Sequence, residues 1–502
     1  MRARLIWAVV LTVLFGAVGA SAQDVTLTAR DGGLSFSGTL QGYDGEFYRI
    51  DTTYGLLTVD GQGVICDGPG CPDLIAPRAE IRIFGPSDAG TALLPPLVAA
   101  FAKVRGLRHD VARDTARLTD PTTGQVLAVF TFTAATPQAA KAALLSGRAE
   151  LVVAAETETD LGFRALALDA LVPIVAPDNL LPRISSTDLA RALAGEVTNW
   201  VQIGGPDMPL VLHALPATSG LQQALEGRLG RAIVAAKVHP DLAALARAVA
   251  RDPWALAVTG LSAVGPARAL TLTDSCGFPL LPGSLAVKTE DYPLTLPLYL
   301  LTPRRRLPLM AREFLDFLPL PLAQAAVAQA GYIDRSAERQ PMTADGLRLI
   351  NAIQGAGDET SLDDLKRLVD VMDGADRLSL TFRFEGGSAT LDAHSQENLT
   401  DLARLLEVGM FRGEAMILAG FSDGSGAAAT NLALSQARAQ SVADALRAAA
   451  PSLAEDRLPR VMAFGEALPM ACDDTGPGRR LNRRVELWLR PDFVTDTPAP
   501  EN

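Results

Sequence analysis

The sequence predicts a multidomain chain in which a small antiparallel β module precedes two α/β units. Residues 23–78 contain short alternating runs such as VTLTA and EFYRI, separated by the hairpin turn signals DGG, YDG and VDGQG. From Glu80 onward, strands such as IRIFG and ELVVAA alternate with Ala- and Leu-rich helical stretches, which is typical of α/β domains. The chain has 502 residues, 48% of them apolar, which is enough material for more than one core.

The first α/β unit is expected to span residues 79–335. The polar stretch DRSAERQPMTADG follows, and residues 336–375 are interpreted as a helical linker with amphipathic helices at 347–354 and 362–372. The second α/β unit, residues 376–491, alternates the strands LSLTFRF, AMILAGF and RRVELWLR with two helices. The tail, residues 492–502, is expected to be disordered.

The first 22 residues have the pattern of a secretory signal peptide. Arg2 and Arg4 precede an apolar run at residues 5–18, and the small-x-small cleavage site ASA follows at residues 20–22. A membrane anchor is the alternative, but this run of about 14 residues is shorter than the ~20 that cross a bilayer. Since no cysteine follows the cleavage site, a lipid-modified amino terminus is not expected.

Charge and cysteine content also restrict the function. Removing the two arginines of the signal peptide takes the 45 basic residues to 43 against 57 acidic ones, so the net charge changes from −12 to −14. This balance argues against a nucleic-acid partner. The four cysteines fit an oxidising compartment. Cys66 and Cys71 flank the turn DGPG and are predicted to form a local disulfide, whereas Cys276 and Cys472 are either free buried thiols or a bridge between domains.

An acid and an arginine in the second α/β unit form a candidate binding site. Asp423 follows the apolar strand AMILAGF, and Arg438 lies about two turns inside a helix expected to begin near Asn431, on the same side as Asn431 and Ser435. Such a pair can bind a ligand with an ammonium and a carboxylate on one carbon, because the acid accepts from the ammonium and the guanidinium grips the carboxylate. The alternative is an ordinary surface salt bridge, worth about 0–1 kcal/mol.

A family resemblance covers residues 378–489. The run GFSDGSGAAATNLALSQARAQSV, followed by FGEALPMACDDTGPGRRLNRRVELWLR, resembles the OmpA-like peptidoglycan-binding domain, whose pattern is T/S-D-x-x-G, N-x-x-L-S-x-x-R-A and G-R-x-x-N-R-R-V-E. The matching residues are Ser422, Asp423, Gly426, Asn431, Leu434, Ser435, Arg438, Ala439, Gly478, Arg479, Asn482, Arg483, Arg484, Val485 and Glu486. The upstream stretch TFRFEGGSATLDAHS is similar to the family's first strand and loop through Phe384, Gly387, Ser388 and Leu391.

The resemblance implies an α/β OmpA-like domain that binds peptidoglycan. It implies that Asp423 and Arg438 bind the diaminopimelate of the stem peptide, whose free end carries an ammonium and a carboxylate on one carbon, and that Asn482 and Arg483 help to line the site. Two or three of the arginines in GRRLNRR are expected to form a solvated basic patch. Cys472 stands where the family more often has a small polar residue, and a crosslink there would stiffen the rim of the site.

Two loops of the first α/β unit are candidates for binding a small oxyanion. In RIFGPSDAGTALLPP, backbone amides at a helix start lie close to the hydroxyls of Ser87 and Thr91. In LPATSGLQQAL, Thr218, Ser219 and Gly220 are placed in the same way. The two loops are expected to face each other across a cleft.

The same unit resembles the phosphate-type periplasmic solute-binding proteins of ABC transporters over residues 80–335. The resemblance rests on LVPIVAPDNLLPRISSTDLARALAGEVTNWVQIGGPDMPLVLHALPATSG and SCGFPLLPGSLAVKTEDYPLTLPLYLLTP, with matches that include Pro173, Trp200 and the D-Y-P-L run at Asp291. It implies a two-lobed α/β periplasmic-binding-protein domain with a hinge. Most of the matched residues are expected to be scaffold.

The sequence departs from that family at the ligand. The family's phosphate loop reads R-x-x-x-S-G-T, and Leu215 and Leu221 stand at its arginine and last threonine positions, which removes the fixed positive charge that phosphate needs. Glu150 and Glu156 lie near the position of the acid that accepts the phosphate proton. The expected ligand is a small oxyanion such as phosphate, or another polar solute. The alternative is a cleft that serves a protein partner.

No enzyme, metal site or cofactor is expected. The four histidines are scattered, and the chain lacks G-x-S-x-G, H-E-x-x-H and P-loop motifs. The first hypothesis is a periplasmic binding protein held on peptidoglycan, with an ABC permease or outer-membrane proteins as partners. The second is a cell-envelope scaffold or assembly protein in which the solute-binding fold is an interaction module, and the third is an envelope enzyme. The first two place the protein in the periplasm, at the cell wall or outer membrane.

Overall fold

A computed structural model describes residues 24–43, 46–68, 70–71, 78–112, 114–354, 356, 360–385 and 390–491. The predicted signal peptide, the predicted disordered tail, and Gly387 and Ser388 of the first OmpA-like loop lie outside these ranges. The chain divides into two compact units between Ala79 and Glu80. Within the described ranges, no helix combines the length and the hydropathy of a membrane span.

The first unit is a five-stranded antiparallel sheet, as the hairpin signals predicted. Its strands are β1 (Asp24–Ala29), β2 (Ser35–Tyr43), β3 (Phe47–Thr52), β4 (Gly55–Asp60) and β5 (Val64–Asp67). Their order in the sheet is β4-β3-β2-β1-β5. Val25 and Leu27, two residues apart on β1, point to the same face and pack with Ile50 in its core. The predicted disulfide between Cys66 and Cys71 is present and lies beside this core.

The second unit begins with a two-lobed α/β domain. Its strands are β6 (Ala79–Gly85), β7 (Arg108–Ala112), β8 (Thr115–Thr119), β9 (Val126–Ala134), β10 (Leu151–Ala154), β11 (Gly162–Val175), β12 (Arg183–Ser185), β13 (Val211–Ala214), β14 (Lys237–Val238), β15 (Ala255–Gly260), β16 (Arg268–Ala269), β17 (Thr271–Thr273), β18 (Pro279–Leu280) and β19 (Thr295–Thr302). Its helices are α1 (Ser87–Val104), α2 (Pro137–Leu145), α3 (Ser186–Leu193), α4 (Gly220–Leu229), α5 (Leu242–Val249), α6 (Ser284–Lys288), α7 (Leu309–Phe317) and α8 (Pro321–Gln329).

Strand β11 connects the two lobes. The first lobe contains β6–β10, α1, α2, α7 and α8, and the second contains β12–β18 and α3–α6. The first half of β11 pairs with β19, and its second half pairs with β15 in the second lobe. Its residues are buried without a break from Ala165 to Val175, which is typical of a central strand covered on both faces.

The C-terminal domain is a mixed sheet with helices on both faces. Its strands are β20 (Arg339–Pro341), β21 (Asp376–Phe382), β22 (Glu414–Phe421), β23 (Arg460–Ala463) and β24 (Arg484–Pro491). Its helices are α9 (Gly346–Gln354), α10 (Leu362–Met372), α11 (Ala393–Glu407), α12 (Ala428–Ala449) and α13 (Gly476–Asn482). The strand order is β20-β21-β24-β22-β23. Helices α11 and α12 cover one face, and α9 and α10 cover the other.

The segment interpreted as a helical linker packs as part of this domain. Strand β20 pairs with β21, and α10 buries Leu368 and Met372 against Trp488 of the sheet. The two helices lie where the amphipathic pattern predicted them. Their apolar faces need a partner surface, and the second face of the sheet provides it.

A buried ion network joins the second lobe to the C-terminal domain. Asp291, in the second lobe, lies 2.7 Å from Nη1 of Arg377 and 2.8 Å from Nη2 of Arg383, and all three side chains are at most 8% exposed. Burial alone would raise the pKa of Asp291, but the two guanidinium groups hold it below its usual value. The network continues through Glu486, which pairs with Arg377 and, at 2.7 Å, with Arg484. Asp291 therefore ties the two domains together.

Arg484 differs from the expected basic patch. Its side chain is fully buried, donates to Glu486, and lies over the ring of Phe421 at 4.3 Å. Arg480, by contrast, is 62% exposed. Within GRRLNRR, Arg484 is the residue that begins β24, and this strand is buried continuously from Arg484 to Leu489 because helices cover both faces of the sheet.

A histidine pair in the second lobe makes stability depend on pH. Nδ1 of His213 lies 3.2 Å from Nε2 of His239, and Nε2 of His213 lies 3.3 Å from Oδ2 of Asp252, which also binds Lys237. Burial and the charge of Lys237 lower the pKa of both histidines. The folded state therefore binds fewer protons than the unfolded state, whose histidines titrate near ~6.5.

We expect this stability contribution to be complete above that unfolded pKa and to be lost as the pH falls below it. Urea unfolding at pH about 7.5 and about 5.5 measures the loss. His213→Gln should make the free energy of unfolding less dependent on pH over this interval. An unchanged pH dependence in that variant would show that His213 takes up its proton equally in the folded and unfolded states, which would contradict the lowered pKa.

Candidate functional site

Asp423 lies at the carboxyl end of β22 and is already paired. Its Oδ2 lies 2.7 Å from Nη1 of Arg483, and its Oδ1 accepts a hydrogen bond of 3.1 Å from the backbone N–H of Ser425. Burial alone would raise the pKa of Asp423, but the hydrogen bonds from Arg483 and Ser425 outweigh it and lower this pKa. The carboxylate is therefore ionised, and each oxygen can accept one further hydrogen bond.

Arg438 keeps unused hydrogen-bond donors beside this carboxylate. Helix α12 begins at Ala428 rather than near Asn431, which places Arg438 almost three turns (~3.6 residues each) inside it. Within the part of the chain that the structure describes, the buried Nη1 atom of Arg438 has no hydrogen-bond partner. Burial and the charge of Arg483 lower the pKa of Arg438, and Asp423 opposes them. The ion pair of Asp423 is thus with Arg483, 2.7 Å away, rather than with Arg438.

Two neighbouring motif residues also carry unsatisfied polar atoms. Oγ of Ser422 and Nδ2 of Asn431 are buried, and neither has a hydrogen-bond partner among the described residues. The loop at Gly465 contacts the chain beside both residues, because its carbonyl accepts from the Ser422 N–H and a Cβ on it would lie 3.5 Å from the backbone nitrogen of Leu432, the residue after Asn431. Buried polar groups are nearly always hydrogen-bonded. Three such atoms, with that of Arg438, indicate a site shaped for a polar ligand.

Close packing of backbone on backbone fixes this geometry. A Cβ on Gly420 would lie 2.1 Å from the carbonyl oxygen of Ser435, so β22 and α12 touch directly at this point. Only glycine allows such an approach. This contact fixes the position of Asp423, which follows β22, relative to Arg438, which lies on α12.

Asn482 and Arg483, both predicted to line the site, make different contacts. Oδ1 of Asn482 accepts from the N–H groups of Met470 and Ala471, and its Nδ2 donates to the Ala471 carbonyl at 2.7 Å and to Asp473. Asn482 is 1% exposed, so it holds the 470–473 loop in place. Arg483 is partly exposed and pairs with Asp423.

Sequence reasoning missed Asp473. Its Oδ2 accepts a hydrogen bond of 2.6 Å from the N–H of Gly424, the residue after Asp423. Its backbone carbonyl accepts from Nη1 of Arg479. The signal was the unusual acidic pair in ACDDTGPG, which no pattern of the family explained.

The two predicted oxyanion loops touch each other directly. A Cβ on Gly220 would lie 2.4 Å from Cγ of Pro86, the residue before Ser87, so the loops are in contact. Ser87, Thr91 and Thr218 are exposed, and Thr91 donates its hydroxyl to the Ser87 carbonyl. Ser219 begins α4 and accepts from the N–H of Gln222 at 3.4 Å. The hydroxyls of Thr91 and Ser219 are therefore partly used by their own helices.

The charges beside this contact include the acids Asp88 and Glu156 and also Arg228 of α4, which interacts with Glu156. Leu215, at the family's arginine position, is 4% exposed. Burial raises the pKa of Asp88, which follows Ser87. Oε1 of Glu156 lies 3.6 Å from the place of a Cβ on Gly227 of α4. Glu150 belongs elsewhere, because Arg82 at 2.7 Å and Arg305 at 3.2 Å hold it before the amino end of β10. In the part of the chain that the structure describes, no group of acidic, histidine or cysteine side chains is arranged to hold a metal.

Comparison with known proteins identifies two families. Residues 383–483 match the OmpA family, and residues 128–319 match a PBP superfamily domain. The chain is 36% identical over 108 residues to the probable lipoprotein YiaD of Escherichia coli strain K12, covering 22% of this chain and 47% of that protein. It is 35% identical over 63 residues to the phosphate-binding protein PstS of Borreliella burgdorferi, covering 12% of this chain and 23% of that protein. Each alignment thus spans less than half of the relative.

Solved structures similar to the middle domain include two transport receptors. A putative phosphate ABC transporter substrate-binding protein from Clostridium perfringens, with bound phosphate, is 17% identical at a TM-score of 0.42, covering 51% of this chain and 99% of that one. An ABC-type phosphate transport receptor from Vibrio cholerae is 20% identical at a TM-score of 0.40, covering 50% and 99%.

The two family matches agree with the two domains of the second unit. Both are families of binding or structural domains rather than enzymes, and they point to the cell envelope. The chain therefore carries a PBP-superfamily domain in its middle part, followed by a domain of the OmpA family.

Proposed function

We propose that this protein binds peptidoglycan in the periplasm through its OmpA domain, with the free end of diaminopimelate as the ligand group. The observation that carries the proposal is the buried Nη1 of Arg438, to which no described residue offers an acceptor, beside the ionised Asp423. The ligand carboxylate would satisfy Arg438, and the ligand ammonium on the same carbon would donate to Asp423. Arg483 keeps Asp423 charged and oriented before the ligand arrives.

The remaining polar atoms add selectivity. Oγ of Ser422 and Nδ2 of Asn431 can bond the ligand's carboxylate or adjacent amide once water is displaced. A ligand without the carboxylate would leave Arg438 without an anionic partner. A ligand without the ammonium would leave Asp423 without the donor that the site provides for. Leaving a buried charge without its partner costs about 2–5 kcal/mol.

Sedimentation with diaminopimelate-type sacculi tests this function. Asp423→Ala and Arg438→Ala should each weaken binding about 100-fold, because each removes one partner of a buried charge pair. Arg447→Ala is the matched control, since Arg447 lies on the same helix but pairs with Asp444 and Glu455 at the exposed surface. If both site variants pellet with sacculi as the control does, the assignment is wrong.

The middle domain has two candidate functions. In the first, it binds a small polar solute between the Ser87 and Ser219 loops and delivers it to an ABC permease. In the second, it is a scaffold whose partners are outer-membrane or other envelope proteins, and this function is favoured because the OmpA domain is attached to both sides of the hinge. Oε2 of Glu397 accepts from the N–H of Ala165 at 2.9 Å on the first-lobe half of β11, while Asp291 binds Arg377 from the second lobe. Opening the lobes would break one of these buried contacts.

Calorimetry separates the two candidates. We expect no binding of phosphate at millimolar concentration, because Leu215 replaces the arginine of the phosphate loop and Asp88 and Glu156 lie nearby. Ser219→Ala serves as the control for any heat observed. Phosphate binding at micromolar concentration that disappears in Ser219→Ala would support the transport role instead.

A further inference from the structure

Three consecutive residues of the second lobe hold the rim of the OmpA site. Cys276 forms a disulfide with Cys472. Oδ2 of Asp274 accepts the backbone N–H of Cys472 at 2.9 Å. Oγ of Ser275 lies 2.5 Å from Oδ1 of Asp474. Asp274 and Cys276 thus bind Cys472, and Ser275 binds Asp474, so the segment 472–474 is held at both ends.

Asp274 is built for this contact. It is 6% exposed, and its Oδ1 accepts the N–H groups of Cys276 and Phe278, at 3.0 and 2.8 Å. Its own loop is therefore held rigid, and its second oxygen is aimed at Cys472. The OmpA fold alone does not contain this acceptor.

The rim segment in turn holds the binding loop. Oδ2 of Asp473 accepts the N–H of Gly424, and its Oδ1 accepts from Nδ2 of Asn482 at 2.5 Å. A Cβ on Gly424 would lie 2.7 Å from Oδ2 of Asp473, so the two segments are in close contact. A shift of the rim moves the residue next to Asp423.

The rim also supports the helix that ends at Arg483. A Cβ on Gly478 would lie 1.8 Å from the carbonyl oxygen of Cys472, so α13 packs directly on the disulfide-bonded residue. Arg483 follows α13 and pairs with Asp423. The position of Cys472 therefore affects both the loop after Asp423 and the guanidinium of Arg483, which orients the Asp423 carboxylate.

We propose that the second lobe of the PBP-superfamily domain sets the peptidoglycan affinity of the OmpA domain, with Asp274 and the Cys276–Cys472 disulfide as positioning groups. The inference rests on the proposed function of the Asp423 and Arg438 site. A dithiol reductant would uncouple the second lobe from the OmpA site. It gives two electrons and two protons to the Cys276–Cys472 disulfide, which becomes two thiols, and the reductant is itself oxidised to a cyclic disulfide. The rim would then be free to move away from the ligand.

The experiment measures the dissociation constant of a soluble diaminopimelate stem peptide by calorimetry with the mature chain. The starting protein is Cys66→Ser/Cys71→Ser, in which Cys276–Cys472 is the remaining disulfide. Reduction with a dithiol should weaken binding about tenfold, a typical coupling between two sites, and reoxidation should restore it. Asp274→Asn, which replaces the acceptor of the Cys472 N–H by an amide of the same shape, should weaken binding similarly without any reductant.

Circular dichroism under the binding conditions shows that each form is folded, so the change in affinity is separated from unfolding. Asp160→Ala, far from the rim at an exposed ion pair with Arg304, should bind the peptide like the starting protein. If the oxidised protein does not bind the peptide at all, the proposed function fails. If it binds and neither reduction nor Asp274→Asn changes the dissociation constant, the coupling is refuted and the function stands.

Discussion

Asp291→Ala is expected to destabilise the second unit by about 3–5 kcal/mol, because it leaves two buried guanidinium groups without their shared partner. Arg377 and Arg383 are each 2% exposed and bind opposite oxygens of this carboxylate. Water cannot reach them to replace it. Urea unfolding of the mature chain, followed by circular dichroism, measures the change.

The matched control is Asp160→Ala. Asp160 pairs with Arg304, but both side chains are more than three-quarters exposed, so its loss should cost less than about 1 kcal/mol. A variant of Asp291 no less stable than this control would show that the network does not hold the domains together.

Trp488 reports on the C-terminal domain, and Trp200 and Trp254 report on the middle domain. In the wild-type protein, we expect all three to follow one transition.

Gly478→Ala is expected to cost about 3 kcal/mol and to weaken peptidoglycan binding as well, because the new methyl group meets backbone that cannot rotate away. Its Cβ would lie 1.8 Å from the Cys472 carbonyl oxygen, so either α13 or the 472–474 rim must move. Both movements displace Arg483, which orients Asp423. Thermal unfolding and sacculus sedimentation measure the two effects.

Gly476→Ala is the matched control on the same helix. A Cβ at Gly476 meets nothing within 4 Å, so this variant should unfold and bind like the wild-type protein. If Gly478→Ala also behaves like the wild-type protein, α13 is not packed on the rim as described. The role assigned to Cys472 would then be wrong.

Local patterns predicted several of the elements and drew attention to Asp423 and Arg438. The period of the apolar residues placed α10 within its observed bounds, and the turn DGPG brought Cys66 and Cys71 within bonding distance. Asp423 and Arg438 could be named because a strand end and the helix that follows it are close in any α/β unit. Only a short stretch of chain separates Asp423 from Arg438.

Long-range pairing could not be predicted in this way. Asp291 and Arg377 are 86 residues apart, and Asp274 and Cys472 are 198 apart. Each pair depends on how one finished domain packs on another, which leaves no periodic signal in the sequence. For the same reason, the sequence left the state of Cys276 and Cys472 open and did not distinguish buried Arg484 from exposed Arg480.

The most direct test of the account is a calorimetric titration of the oxidised, mature chain with two versions of one soluble stem peptide. The first carries diaminopimelate with a free ammonium and carboxylate at its end, and the second carries an amide in place of that carboxylate. We predict binding of the first peptide and about 100-fold weaker binding of the second, since the amide leaves buried Nη1 of Arg438 without an anionic partner. Equal affinity for both peptides would contradict the proposed clamp.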